Sequence, residues 1–155
     1  MFGDTPAAVL TTLPDIACIR ASNYGGALGD PTRFGNADAA YRYSGLVPTT
    51  YSSAGTVWAG ERISREGSVL LREAIIELGR GVAQNDPDFA AYKAAKIAQG
   101  KKRSVAAIAV AHRAHRLAFA MIGNQQAYDP HRWADAVAAG KSAMATTEKE
   151  TDTTT

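Results

Sequence analysis

Two adjacent serines, Ser52 and Ser53, stand between Tyr51 and Ala54-Gly55, shortly before arginines at positions 62, 65 and 72. A serine hydroxyl attacks carbon or phosphorus only when a base takes its proton or its developing charge is stabilised. An acyl hydrolase would carry the strained G-x-S-x-G elbow, which this sequence lacks. Attack on a phosphodiester asks instead for guanidinium groups around the pentacoordinate phosphorus, whose oxygens arginine grips in two-pronged fashion. A Ser-Ser pair in a polar stretch is equally ordinary turn chemistry, so spacing alone leaves both readings open.

The basic residues are unevenly placed. Between Glu61 and Arg116 there are eleven Lys or Arg against six Asp or Glu, a local net charge of +5 in a chain whose total is +2. A basic central block is what a phosphate-binding face would look like, although solvated helix faces give the same count. The candidate contacts to DNA or RNA are Arg62, Arg65 and Arg72, then Lys101, Lys102 and Arg103, then Arg113 and Arg116. The middle trio opens a helix, where cations oppose the dipole and a phosphate would relieve them. Tyr51 and Trp58 could stack on a base, with partial burial under the loop as the plainer reading. His112 and His115 stand three apart on one helix with no third ligand at matching spacing, so no metal site is expected. Cys18, the one cysteine, excludes an intramolecular disulfide or a Cys-rich zinc site and reads as core. The Gly25-Gly26 and Gly29 cluster lacks the strand and spacing of a dinucleotide loop.

These residues need elements to position them. Thr5-Pro6 reads as a cap and first position of a short helix ending near Leu13-Pro14. A second helix is expected from Asp15 to about Tyr24, weakened by Gly25-Gly26. Asn36 caps a short helix over Ala37–Tyr43, closed by Gly45. Leu46 to Gly60 reads as a long loop or a poor hairpin, and loops of that length are functional or disordered. Val69, Leu70, Ala74, Ile75 and Leu78 recur at helical spacing. Asn85 and Asp86 before Pro87 cap a helix running to about Gln99. The strongest helix runs from Arg103 to about Ile122, with Val105, Ile108, Ala109, His112, Leu117, Phe119 and Met121 mostly turned inward and Gly123-Asn124 as the stop. A weaker amphipathic piece spans Pro130 to Ala143, and the closing TTEKETDTTT reads as a disordered acidic tail. The expected fold is thus mainly α: a compact multi-helix domain over residues 1–143, a long serine-bearing loop within it, and a tail over 144–155.

The 155 residues suffice for one domain, and 46% apolar with 21% charged residues is a globular balance. The longest uninterrupted apolar run, Val105 to Ala111, falls far short of the ~20 residues that cross a bilayer. MFGDTPAAVL is not a secretory signal, because an acid and no basic residue precedes its apolar stretch. A cytoplasmic chain without a membrane partner is expected.

The run GLVPTTYSSAG followed by GERISREGSVLLREAI resembles the C-terminal domain of insertion-sequence transposases of the Piv-like, DEDD-type family (the IS-one-ten family). The matching elements are Gly45 to Pro48, Ser53 with Gly55, Ile63 to Ser68, and Leu71 to Ala74. Upstream, Leu13-Pro14, Gly29-Asp30 and Arg33-Phe34 match the family's lead-in, and AAIAVAHRAHRLAFAMI with AYDP resembles its closing helix. The likeness covers about residues 8–130, and five weak elements in the right order make it specific. It implies that Ser53, with Ser52 as fallback, is the nucleophile of DNA strand exchange, forming a transient phosphoserine link to DNA. It also implies partners: DNA, a structured guide RNA, further copies of the chain, and an N-terminal RuvC-like domain carrying acidic ligands for Mg2+. No cofactor is expected in this chain itself.

The departures from the family pattern shape the expectation. Asp15-Ile16-Ala17 replaces Gly-Ile-Gly, putting a negative charge where a phosphate would approach. Ala54 follows Ser53 in place of Gly, and Trp58-Ala59 stands where the family is often basic. No acidic domain precedes the serine segment, so the sequence reads as a truncated or split transposase inactive on its own, with a separately encoded N-terminal half as a candidate partner. The competing classes are a catalytically inactive helical remnant that binds nucleic acid or self-associates, and a helical protein-interaction domain.

Overall fold

The computed structural model describes residues 2–53 and 56–131, with side-chain surroundings described for 3–47 and 63–131. The chain is mainly helical. A 3-10 segment, Pro6–Thr12, leads into α1 (Cys18–Leu28) and α2 (Ala37–Tyr43). An antiparallel hairpin, β1 (Pro48–Ser53) and β2 (Thr56–Ile63), separates these from α3 (Val69–Asn85), α4 (Pro87–Ala98) and α5 (Arg103–Asn124).

Local chemistry accounts for most helix ends. The Asn36 side chain accepts from the Ala39 amide at 2.8 Å to start α2, and Ser68 accepts from the Leu71 amide at 3.2 Å to start α3, the usual satisfaction of an orphan donor. Asp86 closes α3 and opens α4. One of its carboxylate oxygens accepts from the Asp88 and Phe89 amides, and the other takes the Tyr128 hydroxyl at 2.7 Å. That second bond ties the chain after α5 to the α3–α4 corner.

The core lies where α1 and α5 pack on α3. Leu71, Ala74, Ile75, Leu78 and Val82 form its α3 row, all buried. On α5 the inward row is Ala106, Val110, Ala111, Ala114, His115, Ala118, Met121 and Ile122. This corrects the inward face expected from the sequence: of that set only Met121 is buried, while Val105 is 47% exposed and the others are half-buried. The reason is close approach. A Cβ on Gly79 would lie 2.5 Å from the Ala111 Cα, so at that crossing only a small residue of α5 fits and the larger expected ones flank it. By length and composition α5 is apolar enough to cross a membrane, at a mean hydropathy of 1.3. Its small-residue face is instead spent on α3, α4 and α2, as in a core helix.

Three further expectations are corrected. Gly25-Gly26 does not end α1, which runs on to Leu28, because Gly25 sits directly against Ala7 of the 3-10 segment. Cys18 is exposed, as is Ile19, since the inward row of α1 begins a turn later with Ala21, Tyr24 and Leu28. Gly123-Asn124 stays helical, and the stop falls at Gln125 in the left-handed conformation. Of the two readings of Leu46 to Gly60, the hairpin is the one found, in place of a long serine-bearing loop, its β-branched and aromatic residues suiting a pleated pair. Most of the proposed Pro130 to Ala143 helix and the whole 144–155 tail lie outside the described residues.

Candidate nucleic-acid interface and serine hairpin

The hairpin is tied to the helices at its root. The Ser64 amide donates to the Val47 carbonyl at 2.9 Å, Arg65 to Gly45 at 3.1 Å, and Ser68 to Tyr43 at 2.8 Å. The Arg72 guanidinium adds a bond to the Ser44 carbonyl at 3.2 Å. This ladder forms because Gly45 takes φ +73°, a conformation costly to side-chain-bearing residues, and because its missing Cβ would stand 2.5 Å from the Glu66 carbonyl oxygen. Arg65 itself adopts φ +56°, an uncommon strain for a non-glycine residue that surrounding bonds must hold.

From that root the register carries the serines outward. Tyr51 stands opposite Trp58, Ser52 opposite Val57, and Ser53 opposite Thr56, the last registered pair before Ala54-Gly55. Those two linking residues lie outside the described ones. The pairing slips between Pro48 and Thr50, at the end where a proline is tolerated in a strand.

Beside the root, α2 and α5 enclose an open groove of about 1440 Å³. Its cations are Arg42, Arg65, Lys101, Lys102 and Arg116, all exposed. Its apolar lining is Leu46, Val47, Ile63, Ile108 and Ala109, buried or half-buried. Asp38 is the acid among the lining residues, and two cationic or ionisable neighbours face it: His112 Nε2 at 3.4 Å and Arg116 Nε at 3.9 Å. His112 also stacks on Tyr41 with ring centroids 4.1 Å apart, and burial pushes the Tyr41 hydroxyl up to about 12.

Four of the sequence-expected contacts thus meet in one groove: Arg65, Lys101, Lys102 and Arg116. Arg72 is drawn into the hairpin root, and Arg113 lies over the Tyr92 ring at 3.8 Å, away from the groove lining. Arg103 is exposed at the start of α5. Arg62 belongs to β2, and its side chain lies outside the description. Sequence reading missed Arg42, whose local signal is only that of a cation in the last turn of a helix, where the dipole favours it.

The two histidines of α5 part company. His115 is fully buried; its Nε2 donates to the Ala37 carbonyl at 2.8 Å, which leaves Nδ1 to accept from the Tyr24 hydroxyl, also at 2.8 Å. Burial holds its pKa below the ordinary histidine value and raises that of Tyr24. The ring is therefore a neutral strut joining α1, α2 and α5. Among the described residues no group of three or more His, Cys, Asp or Glu could hold a metal. The lead-in departure at Asp15 is also resolved: Asp15 takes φ +57°, a conformation Asp tolerates better than most residues. Its carboxylate accepts from the Asn85 amide at 2.8 Å and lies 3.8 Å from the Arg20 guanidinium.

The profile of the transposase IS116/IS110/IS902 family matches residues 7–94, more than half of the chain. The chain belongs to that family, and its function lies in DNA transposition, with DNA as a partner. No curated protein sequence matches it. The matched span holds both serines and the hairpin root, whereas α5, which supplies one wall of the groove, lies beyond it.

Proposed function

We propose that this chain performs the strand-exchange step of transposition, with Ser53 as nucleophile and Ser52 as the neighbouring alternative. The observation that supports this most is the position of Ser53 in the last registered pair of a hairpin whose root opens on a cationic groove. In this reading the Ser53 oxygen attacks the phosphorus of a DNA phosphodiester and its proton leaves. The bond from phosphorus to the 3′ oxygen breaks, and that oxygen departs as a hydroxyl after taking up a proton. A phosphoserine link to the 5′ side conserves the energy of the broken ester for rejoining. Cations near the scissile phosphate would offset the charge on its equatorial oxygens.

Strand exchange joins several ends, so the working form is an oligomer of this chain in the cytoplasm. The Mg2+ chemistry of the family belongs to a RuvC-like domain acting alongside it, a structured guide RNA is a further partner, and no step described here runs through either. The test is a suicide DNA substrate carrying a nick, incubated with the full chain and its RuvC-like partner, then resolved under denaturing conditions. A DNA-linked species that disappears in Ser53→Ala and persists in Ser52→Ala supports the assignment. Persistence in Ser53→Ala with loss in Ser52→Ala transfers the role to Ser52. Retained DNA binding with no adduct in any variant would favour the non-catalytic binding module.

A further inference from the structure

The composition of the groove points to more than backbone neutralisation. A duplex keeps its bases stacked inside and offers phosphates and groove edges, so a purely cationic surface serves it well. Here the exposed cations Arg42, Arg65, Lys101, Lys102 and Arg116 edge a half-buried lining of Val47, Ile63 and Ile108. That apolar lining has no counterpart on a duplex. It matches the sugar and base faces of an unpaired strand, which single-strand binders take up alongside a positive track for the backbone. His112 adds a flat ring, 38% exposed and already backed by Tyr41 at 4.1 Å, a preorganised surface of the kind on which a base stacks. Val105, half out of the core at 47% exposure, continues the apolar face toward Lys101 and Lys102. Among the described residues of the lining the acid, Asp38, is already faced by His112 and Arg116.

We propose that this groove holds an unpaired nucleic-acid strand, its phosphates on the cationic edge and its bases on the apolar lining and the His112 ring. The proposal rests on the reading that nucleic acid is this chain's substrate, but not on Ser53 being the nucleophile. An unpaired strand is what a transposase must manage once duplex ends are opened, and the groove would hold that strand close to the hairpin root.

The test is fluorescence anisotropy of the full chain with a labelled 20-nucleotide single strand and the same sequence as a duplex, at two salt concentrations. The single strand should bind about tenfold tighter than the duplex. Arg42→Glu with Lys101→Glu should weaken both by about tenfold or more and flatten the salt dependence. The discriminating variant is Val105→Asp. It sits in the first turn of α5, where an acid suits the helix dipole, so the fold should hold, and circular dichroism checks this. It should erase the preference for the single strand, and Val105→Asn should reduce that preference without a change of charge. Equal or tighter duplex binding would overturn the proposal, as would a preference that survives Val105→Asp. These affinities are read without any covalent step, so an absent covalent adduct bears on the serine assignment alone.

Discussion

The α3–α5 contact and the serine hairpin are built on opposite principles. Between α3 and α5, specificity comes from side chains that are missing: Gly79 against Ala111, with an alanine-rich row along α5. At the hairpin, the tie to the rest of the molecule is a short ladder of backbone bonds from residues 64–68 to residues 43–47. The first arrangement punishes any added atom through packing. The second depends on backbone conformation at Gly45 and Arg65 and places the serines in the last registered pairs of the hairpin. Stability and the proposed chemistry are thus housed in separate parts of one small chain, and substitutions can pull them apart.

Gly79→Val should have the largest effect, about 3 kcal/mol or more, because its first added atom would overlap the α5 backbone at Ala111. Urea unfolding would show it as a lowered midpoint, and an unchanged midpoint would contradict the close approach. Tyr24→Phe comes next. It removes the donor to His115 Nδ1 inside the core, at a cost of about 1–3 kcal/mol. His115 also sets a pH dependence. Because burial lowers its folded pKa, the unfolded chain binds the extra proton, so the stability it contributes is complete above its unfolded pKa of about 6.5 and is lost as pH falls from there toward the folded pKa. Unfolding midpoints measured from pH 8 to 5 should decline on the acid side, and His115→Gln should reduce that slope.

Gly45→Ala should cost about 1–2 kcal/mol at a position of positive φ and should lower covalent adduct formation more than it lowers the global midpoint. Ser53→Ala should be the smallest in stability, within about 0.5 kcal/mol, yet abolish the adduct. A shift comparable to that of Tyr24→Phe would mean that the hairpin tip belongs to the core after all.

What the sequence disclosed follows the range of the forces involved. Asn36 and Asp86-Pro87 act within three residues of themselves, so the starts of α2 and α4 were legible. The inward face of α5 was not, because Gly79, on another helix, decides which of its rows can approach. Gly25 misled for the same reason: its role is set by Ala7. At the site, the serines and the basic block could be named from local pattern and family resemblance. The groove could not, since Arg42, Arg65 and Lys101 meet only after α2, the hairpin root and the α4–α5 turn are assembled. Arg72 shows the converse, a residue with the right chemistry that the fold spends on the Ser44 carbonyl.

The hairpin root also sets a mechanical tolerance. From Pro48 to Ser53 the strand extends roughly 17 Å at about 3.3 Å per residue. On a lever of that length a rotation of about 10° at the root carries the tip about 3 Å, comparable to the whole span of a near-attack contact. A handful of main-chain bonds around Gly45 and Arg65 therefore acts as the bearing of the device. Under the proposed function, its stiffness decides whether a phosphate delivered to the groove meets the serine or misses it.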